Sequence, residues 1–502
     1  MLVIVKNTVL FVLSILLISF PAYAAISPEE LAAISVADRV ESSLGTLHYR
    51  DGAPDKATAD TLYDYVDRMR GVQAFADNMI GASVYSVRRG YQSAGQHQAH
   101  QVLIHENAAD ANALYQVANS QTIYVLSFLD LKRDGPTVIE VAPHTMGSLN
   151  DMWQSHVADL GYIGPDLGKG GNYLILPPGY EGEVPKGYFV VRSPTYGVWH
   201  FSRGFIKNGN PEPSLSIIKK HLKIYSLSRW NKPPKMEFIN ASGKHINTIT
   251  RNDFSIFEDI NAIVQQEPLD SLSVERRGVL RSIGIEKGKP FQPDERMKRL
   301  LSDAAKIGIG YFRSLWWQPR SKVNAIYPDT DSHWLAGFPD RNTTFIADGS
   351  KLLESQLMFA GFGAGLSPTM GSVEPGKGAD YAILMNDEKG LPFDGTKTYK
   401  LRLAPNIPIA NFWSIIVYDN QTRSFLKTSQ RGAMLSSEST KIQQNDDGST
   451  DIYFSPTPPK GKEHNWLETV PGRGWFICIR LYGPTEPWIE QRWRLGEMEV
   501  VD

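Results

Sequence analysis

The 502-residue chain has a single cysteine, Cys478, so no disulfide can form within it. Its stability has to come from a packed core, for which the length is ample. Cys478 sits in the apolar run GWFICIRLY, where the role of a small buried hydrophobe suits it better than that of a nucleophile. Charge of one sign is also lacking. The formal net charge is -2, so the overall balance gives no reason to attract nucleic acid, and no nucleic-acid partner is expected. Beyond the first 24 residues no apolar run is long enough to span a bilayer, so no transmembrane segment is expected there. Several signatures are missing as well: HEXXH, the Walker spacing, a GxGxxG between strand and helix, and G-x-S-x-G. Their absence removes the ready-made zincin, P-loop, dinucleotide-binding and nucleophile-elbow readings.

What is present starts with an export signal. Lys6 gives a short positive segment, Val9–Ile18 is apolar apart from Ser14, and Ala22-Tyr23-Ala24 forms an A-x-A cleavage box. The expectation is a signal peptide over residues 1–24, a mature chain beginning at Ala25, and a periplasmic or secreted location.

The rest of the chain alternates between two hydrophobic periods. Thr61–Ile80 has helical spacing, with Leu62, Tyr65, Met69, Val72, Ala76 and Ile80 on one face and Asp60 in position to cap it. Thr122–Leu131, Thr137–Ala142 and Asn172–Leu176 read as strands, and Gly187–Phe201 as a strand interrupted at Pro194. Leu149–Leu160 between them has helical spacing. The prolines of RWNKPPK (Arg229–Lys235) mark a linker. Asp253–Gln266 and Asp294–Phe312 follow as helices, the second with Met297, Leu300, Leu301, Ala304, Ile307 and Ile309 on its apolar face. From Tyr381 the period is that of strands. Tyr399–Leu403 alternates, a hairpin is expected to join Lys441-Ile442 to Asp451–Phe454, and Gly474–Tyr482 has Trp475, Ile477, Ile479 and Leu481 on one face. Phe412–Tyr418 is bulky on both faces, as a doubly covered central strand would be, and Asp419-Asn420 opens a turn. The expected fold class is α+β, mainly β. An N-terminal β-rich domain over 27–228 and a C-terminal antiparallel sandwich or barrel over 376–502 are joined by a linker and helical region over 229–375.

Three clusters could carry chemistry. His97, His100 and His105, followed by Glu106, have residue types and spacing that could hold zinc, with loop histidines as the plainer account. Asp329 and Asp331 in YPDTDSH offer oxygen ligands to a hard cation, or simply cap their loop. A divalent metal is therefore the candidate cofactor. The Gly-rich tract Gly161–Gly171 could cradle an anion on backbone amides, with Lys169 as countercharge, or form a tight connection. Aromatic residues make up 11% of the chain, including 11 tryptophans; their faces suit sugars or apolar ligands, although most belong in a core.

Four stretches carry a family resemblance: NSQTIYVLSFLDLKRDGPTVIEVAP and MWQSHVADLGYIGPDLGKGGNYLILPPGYEGEVPKGYFVVRSPTYGVW in the first half, NFWSIIVYDNQTRSFL and NWLETVPGRGWFICIRLYGPTEPW in the second. The chain resembles a bacterial exported two-domain family, with a domain of unknown function twelve-fifty-four followed by a domain of unknown function twelve-fourteen. The resemblance implies two β-rich domains but brings no reaction and no catalytic set. Polar positions within the motifs are candidates to line a shared cleft: Asn119, Thr122, Tyr124 and Trp153 for ligand, and Asp151, Asp166, Asp419 and Tyr418 for catalysis. The leading reading is a protein that binds a small-molecule or glycan ligand between its domains. The alternatives are a carboxylate- or metal-assisted hydrolase, and an envelope scaffold that assembles through its sheet surfaces as a homo-oligomer.

Overall fold

Alternation along single strands decides how the chain is layered. On Gly474–Tyr482, Trp475, Ile477, Ile479 and Leu481 enter one core while Phe476 and Cys478 enter another. Trp413–Asp419 divides the same way: Trp413, Ile415 and Val417 lie to one side, Ile416 and Tyr418 to the other. Successive side chains of a strand point to opposite faces, so a strand that is apolar throughout has to be covered twice. Cys478 is free and buried, as a core residue.

The structure is a computed structural model that describes residues 26–501 apart from 208, 323 and 440. The signal sequence expected over 1–24 and its cleavage point lie outside these residues. Described residues up to Val66 form one unit, and those from Asp67 onward a second. The first unit holds the helix Pro28–Ile34, begun by a capping box between Ser27 and Glu30. An antiparallel sheet of Arg39–Ser42, Gly45–Arg50 and Ala53–Pro54 follows. The helix Lys56–Ser93 begins in this unit and continues into the second.

The second unit is α+β, with strands dominating two domains and helices before and between them. In the N-terminal domain a six-stranded sheet runs in the order Glu237–Asn240, Gln101–Ile104, Thr122–Asp130, Gly197–Phe205, Met146–Asp151, His156–Gly161. A four-stranded sheet of Phe189–Arg192, Gly171–Leu176, Thr137–Val141 and Lys223–Ser226 accompanies it. Ile123, Val125, Leu149 and Val198 of the large sheet share a core with Ile139, Tyr173, Ile175 and Ile224 of the small one. The C-terminal domain repeats the plan as a sandwich. Leu335–Ala336, Ala379–Leu384, Gly474–Tyr482, Trp413–Asp419 and Met434–Ser436 pack against Trp466–Glu468, Thr450–Ser455, Thr398–Leu403 and Met498–Val501.

The faces of the two large sheets that point away from these cores are apolar too. Tyr124, Leu126, Phe128 and Trp199 on one, and Ile416, Tyr418, Phe476 and Cys478 on the other, join a third core. The helices Ser255–Gln266, Glu295–Trp317 and Leu353–Phe362 and the later turns of Lys56–Ser93 fill it, through residues such as Phe75, Ile260, Leu301, Phe312 and Leu357. Each such side chain contributes roughly 1.5–3 kcal/mol on burial. Among the described residues no helix is long and apolar enough to cross a membrane.

Several local expectations change. Leu149–Leu160 is not a helix but two strands, Met146–Asp151 and His156–Gly161, paired antiparallel. Its apolar spacing mimics a helix because a turn at 152–155 resets the strand period. Lys441-Ile442 form no strand. Thr450–Ser455 instead takes Thr398–Leu403 and Trp466–Glu468 as neighbours, so tertiary packing overrides the local turn signal. The helix expected from Asp294 starts at Glu295, with Asp294 as its cap accepting from Met297 N at 2.7 Å, and Ile307 is exposed rather than on the buried face. Asp60 lies inside the helix Lys56–Ser93 instead of capping it. Beyond the paired prolines, Glu237–Asn240 returns to pair with Gln101–Ile104 in the N-terminal sheet.

Two glycines two residues apart in Glu295–Trp317 test this packing. A Cβ at Gly308 would lie 2.4 Å from the ring of Phe75, whereas one at Gly310 meets nothing within 4 Å. Gly310→Ala should stabilise by about 1 kcal/mol through helix propensity. Gly308→Ala should destabilise by about 1–3 kcal/mol through overpacking. Urea unfolding of the two variants checks the opposite signs; shifts of the same sign would contradict the packing of this helix against Phe75.

Candidate functional site

The two large sheets line a cavity of about 930 Å³, adjoining open space included. Strand register sets its walls. On the N-terminal sheet Arg203 stands opposite Tyr124, and Phe201 opposite Leu126. On the C-terminal sheet Arg480 stands opposite Tyr381, and Cys478 opposite Ile383. All eight line the cavity, together with Tyr91 from the long helix, Trp199, and Phe359 and Phe362 from Leu353–Phe362.

Arg480 is only 3% exposed. Its guanidinium donates to Tyr418 Oη at 2.8 Å, to the Val117 carbonyl at 2.6 Å and to the Ala118 carbonyl at 3.3 Å. It also lies 5.4 Å from the centre of the Tyr381 ring, within cation–π range. Tyr418 donates in turn to the Ala118 carbonyl, and burial holds its phenol in the neutral form by raising its pKa. Val117 N donates to the Arg423 carbonyl at 2.8 Å. The loop at 117–118 of the N-terminal domain is thus gripped from the C-terminal domain at three of its polar atoms. The grip holds Val117 at φ 42°, a left-handed conformation that costs a β-branched residue roughly 1–2 kcal/mol.

The electrostatics of the lining are one-sided. Neither Asp nor Glu is among its residues. Arg480 has only neutral acceptors, although an arginine stays charged. Arg203 is half-buried, 5.0 Å from the centre of the Phe201 ring, and forms no ion pair among the described residues. The amide nitrogen of Gln116, also in the lining, is buried without a hydrogen-bond partner.

Residues 100–226 match the model of a protein of unknown function, DUF1254, and residues 378–486 match that of a second, DUF1214. The chain carries a DUF1254 domain followed by a DUF1214 domain. The VPA0106 protein from Vibrio parahaemolyticus, known from a crystal structure, is similar over 87% of this chain and 100% of its own, with a TM-score of 0.52 and 18% identity. That likeness is one of fold. An uncharacterized protein from Burkholderia cenocepacia is similar over 89% of this chain and 97% of its own, with a TM-score of 0.40 and 12% identity. Comparison with curated proteins gives no match.

The cavity of this DUF1254–DUF1214 pair gathers some of the candidate residues and not others. Asn119 and Tyr124 line it, and Asn119 N donates to Tyr124 Oη at 2.8 Å. Thr122 donates to Asn119 Oδ1 at 3.0 Å. Tyr418 stands behind Arg480. Trp153 lies outside the lining, its indole N–H donating to Ser271 Oγ at 3.2 Å and its ring facing Arg276.

The three carboxylates are outside the lining as well. Asp151 accepts from Trp153 N and Ser155 N, both at 2.8 Å. Asp166 accepts from Gly161 N at 2.7 Å, Gly170 N at 3.1 Å and the Tyr173 hydroxyl, so the amides of the Gly-rich tract meet an anion that the tract supplies itself. Asp419 accepts from Gln421 N at 2.8 Å and Thr422 N at 2.9 Å and pairs with Arg473. His97 is exposed and His100 half-exposed, whereas His105 is buried and bonded to Tyr115 Oη at 3.0 Å. Asp329 and Asp331 are exposed. Among the described residues no group of three or more His, Cys, Asp or Glu side chains is placed to hold a metal ion. Arg203 and Arg480 went unremarked in the sequence, although each interrupts an apolar alternation on one strand face: Trp199-Phe201-Arg203 and Phe476-Cys478-Arg480.

Tyr418→Phe removes the hydroxyl between Arg480 and the Ala118 carbonyl. It should cost about 1–3 kcal/mol in denaturant unfolding, because buried partners lose a bond; a neutral result would contradict the grip. Burial pushes the Asp151 carboxyl up to about 6, although its backbone bonds pull the other way. Because the folded state holds the proton more tightly than the unfolded one, the contribution of Asp151 is most favourable below pH 4 and declines as pH rises to 6. Asp151→Asn keeps an oxygen for both amides, so above pH 6 it should be more stable than the wild type by roughly 2–3 kcal/mol. Stability curves that stay parallel from pH 4 to 7 would contradict this.

Proposed function

We propose that this exported two-domain protein binds a small, largely apolar ligand in the cavity between its DUF1254 and DUF1214 domains. The observation that carries the reading is the lining. Both domains and two helices contribute to it, most of its groups are aromatic or aliphatic, and its few polar groups converge from opposite walls. Ligand sites favour domain interfaces and have this character. Buried ring faces lining a recess suit an apolar ligand better than a polymeric glycan, which would call for an exposed aromatic platform. The hydrolase reading draws no comparable support, since Asp151, Asp166 and Asp419 lie outside the cavity, each accepting from backbone amides of its own turn. Lys6, the apolar Val9–Ile18 and Ala22-Tyr23-Ala24 support export.

The neutral dye N-phenyl-1-naphthylamine tests the reading, because its fluorescence rises on entering an apolar site. One equivalent should bind the mature protein. Ala364→Trp, at a half-buried lining position, should fill the cavity and weaken binding by at least about tenfold. Absence of binding, or equal binding to the variant, would overturn the proposal.

A further inference from the structure

We infer that the ligand of this cavity is an apolar monocarboxylate, with its acid group held by Arg203 and Arg480 and its hydrocarbon part among the aromatic rings. The inference rests on the binding reading above and gives it a ligand class. Two arginines reach one cavity from opposite domains, and no acidic residue shares the lining. A buried cation whose partners are carbonyls, a hydroxyl and a ring is solvated but not neutralised, and an uncompensated charge in a low-dielectric site is unfavourable. A ligand anion removes that cost. Arg203 has no ion pair among the described residues, and the unpartnered nitrogen of Gln116 is another donor, so the free polar capacity of the wall is on the donor side. A guanidinium fork matches the two oxygens of a carboxylate. A neutral ligand would leave both charges unmet. The rest of the wall, including Tyr91, Trp199, Phe359 and Phe362, offers apolar surface to a chain or ring.

The test is displacement of bound N-phenyl-1-naphthylamine from the full mature chain by octanoate and by octanamide, which share a tail and differ in charge. Octanoate should displace the dye at a concentration at least about tenfold lower than octanamide does, as a charge-assisted hydrogen bond implies. Arg203→Gln, at the more exposed of the two arginines, should shrink that preference to about threefold or less. Arg480→Met should shrink it further; if that variant fails to fold, the Arg203→Gln result decides. Equal displacement by acid and amide, or a preference unchanged in Arg203→Gln, would overturn the carboxylate inference and leave the cavity reading standing. Failure of the dye to bind the wild type would overturn the binding reading, and this inference with it.

Discussion

The positive charge of Arg480, buried where two β-rich domains meet, constrains everything around it. A guanidinium cannot shed its proton at physiological pH, so its surroundings must solvate it. They do so with the Val117 and Ala118 carbonyls from the other domain and with the Tyr418 hydroxyl from the neighbouring strand. The same contacts hold Val117 in a left-handed conformation it would not choose alone. The charge therefore fixes one domain against the other, and the loop that solvates it becomes part of the cavity wall.

The layers explain why a cavity forms there. Each large sheet is apolar on both faces. One face is covered by its own smaller sheet, and the other belongs to the third core with the helices. Filling the space between two twisted sheets with helices leaves an irregular gap. Here the gap is lined by aromatic rings with two arginines set among them. Elsewhere the candidate anions are absorbed locally: Asp166 by the amides of its own Gly-rich loop, Asp419 by its turn and Arg473, Asp151 by its turn.

Much of the architecture was legible because strand alternation is a local signal. The double coverage of Phe412–Tyr418, the strand Gly474–Tyr482 and the buried role of Cys478 could all be read from residue order. Leu149–Leu160 could not, since a four-residue turn between two strands reproduces helical spacing. Nor could the pairing of Thr450–Ser455 with strands far away in sequence, which depends on tertiary packing. The site was half legible. Asn119 and Tyr124 line the cavity and Tyr418 bonds to Arg480, but carboxylates and histidines drew notice because their chemistry is conspicuous in a sequence. The informative residues were arginines on the less noticed face of apolar strands. A charge at an alternating position of a doubly buried strand is costly, and that cost was the available signal.

The most direct measurement is a crystal structure of the protein grown with octanoate. The account predicts density for the carboxylate in contact with the guanidinium groups of Arg203 and Arg480, and for the hydrocarbon chain against the aromatic wall. Octanoate bound with its acid group turned away from both arginines, or bound only outside the cavity, would contradict it.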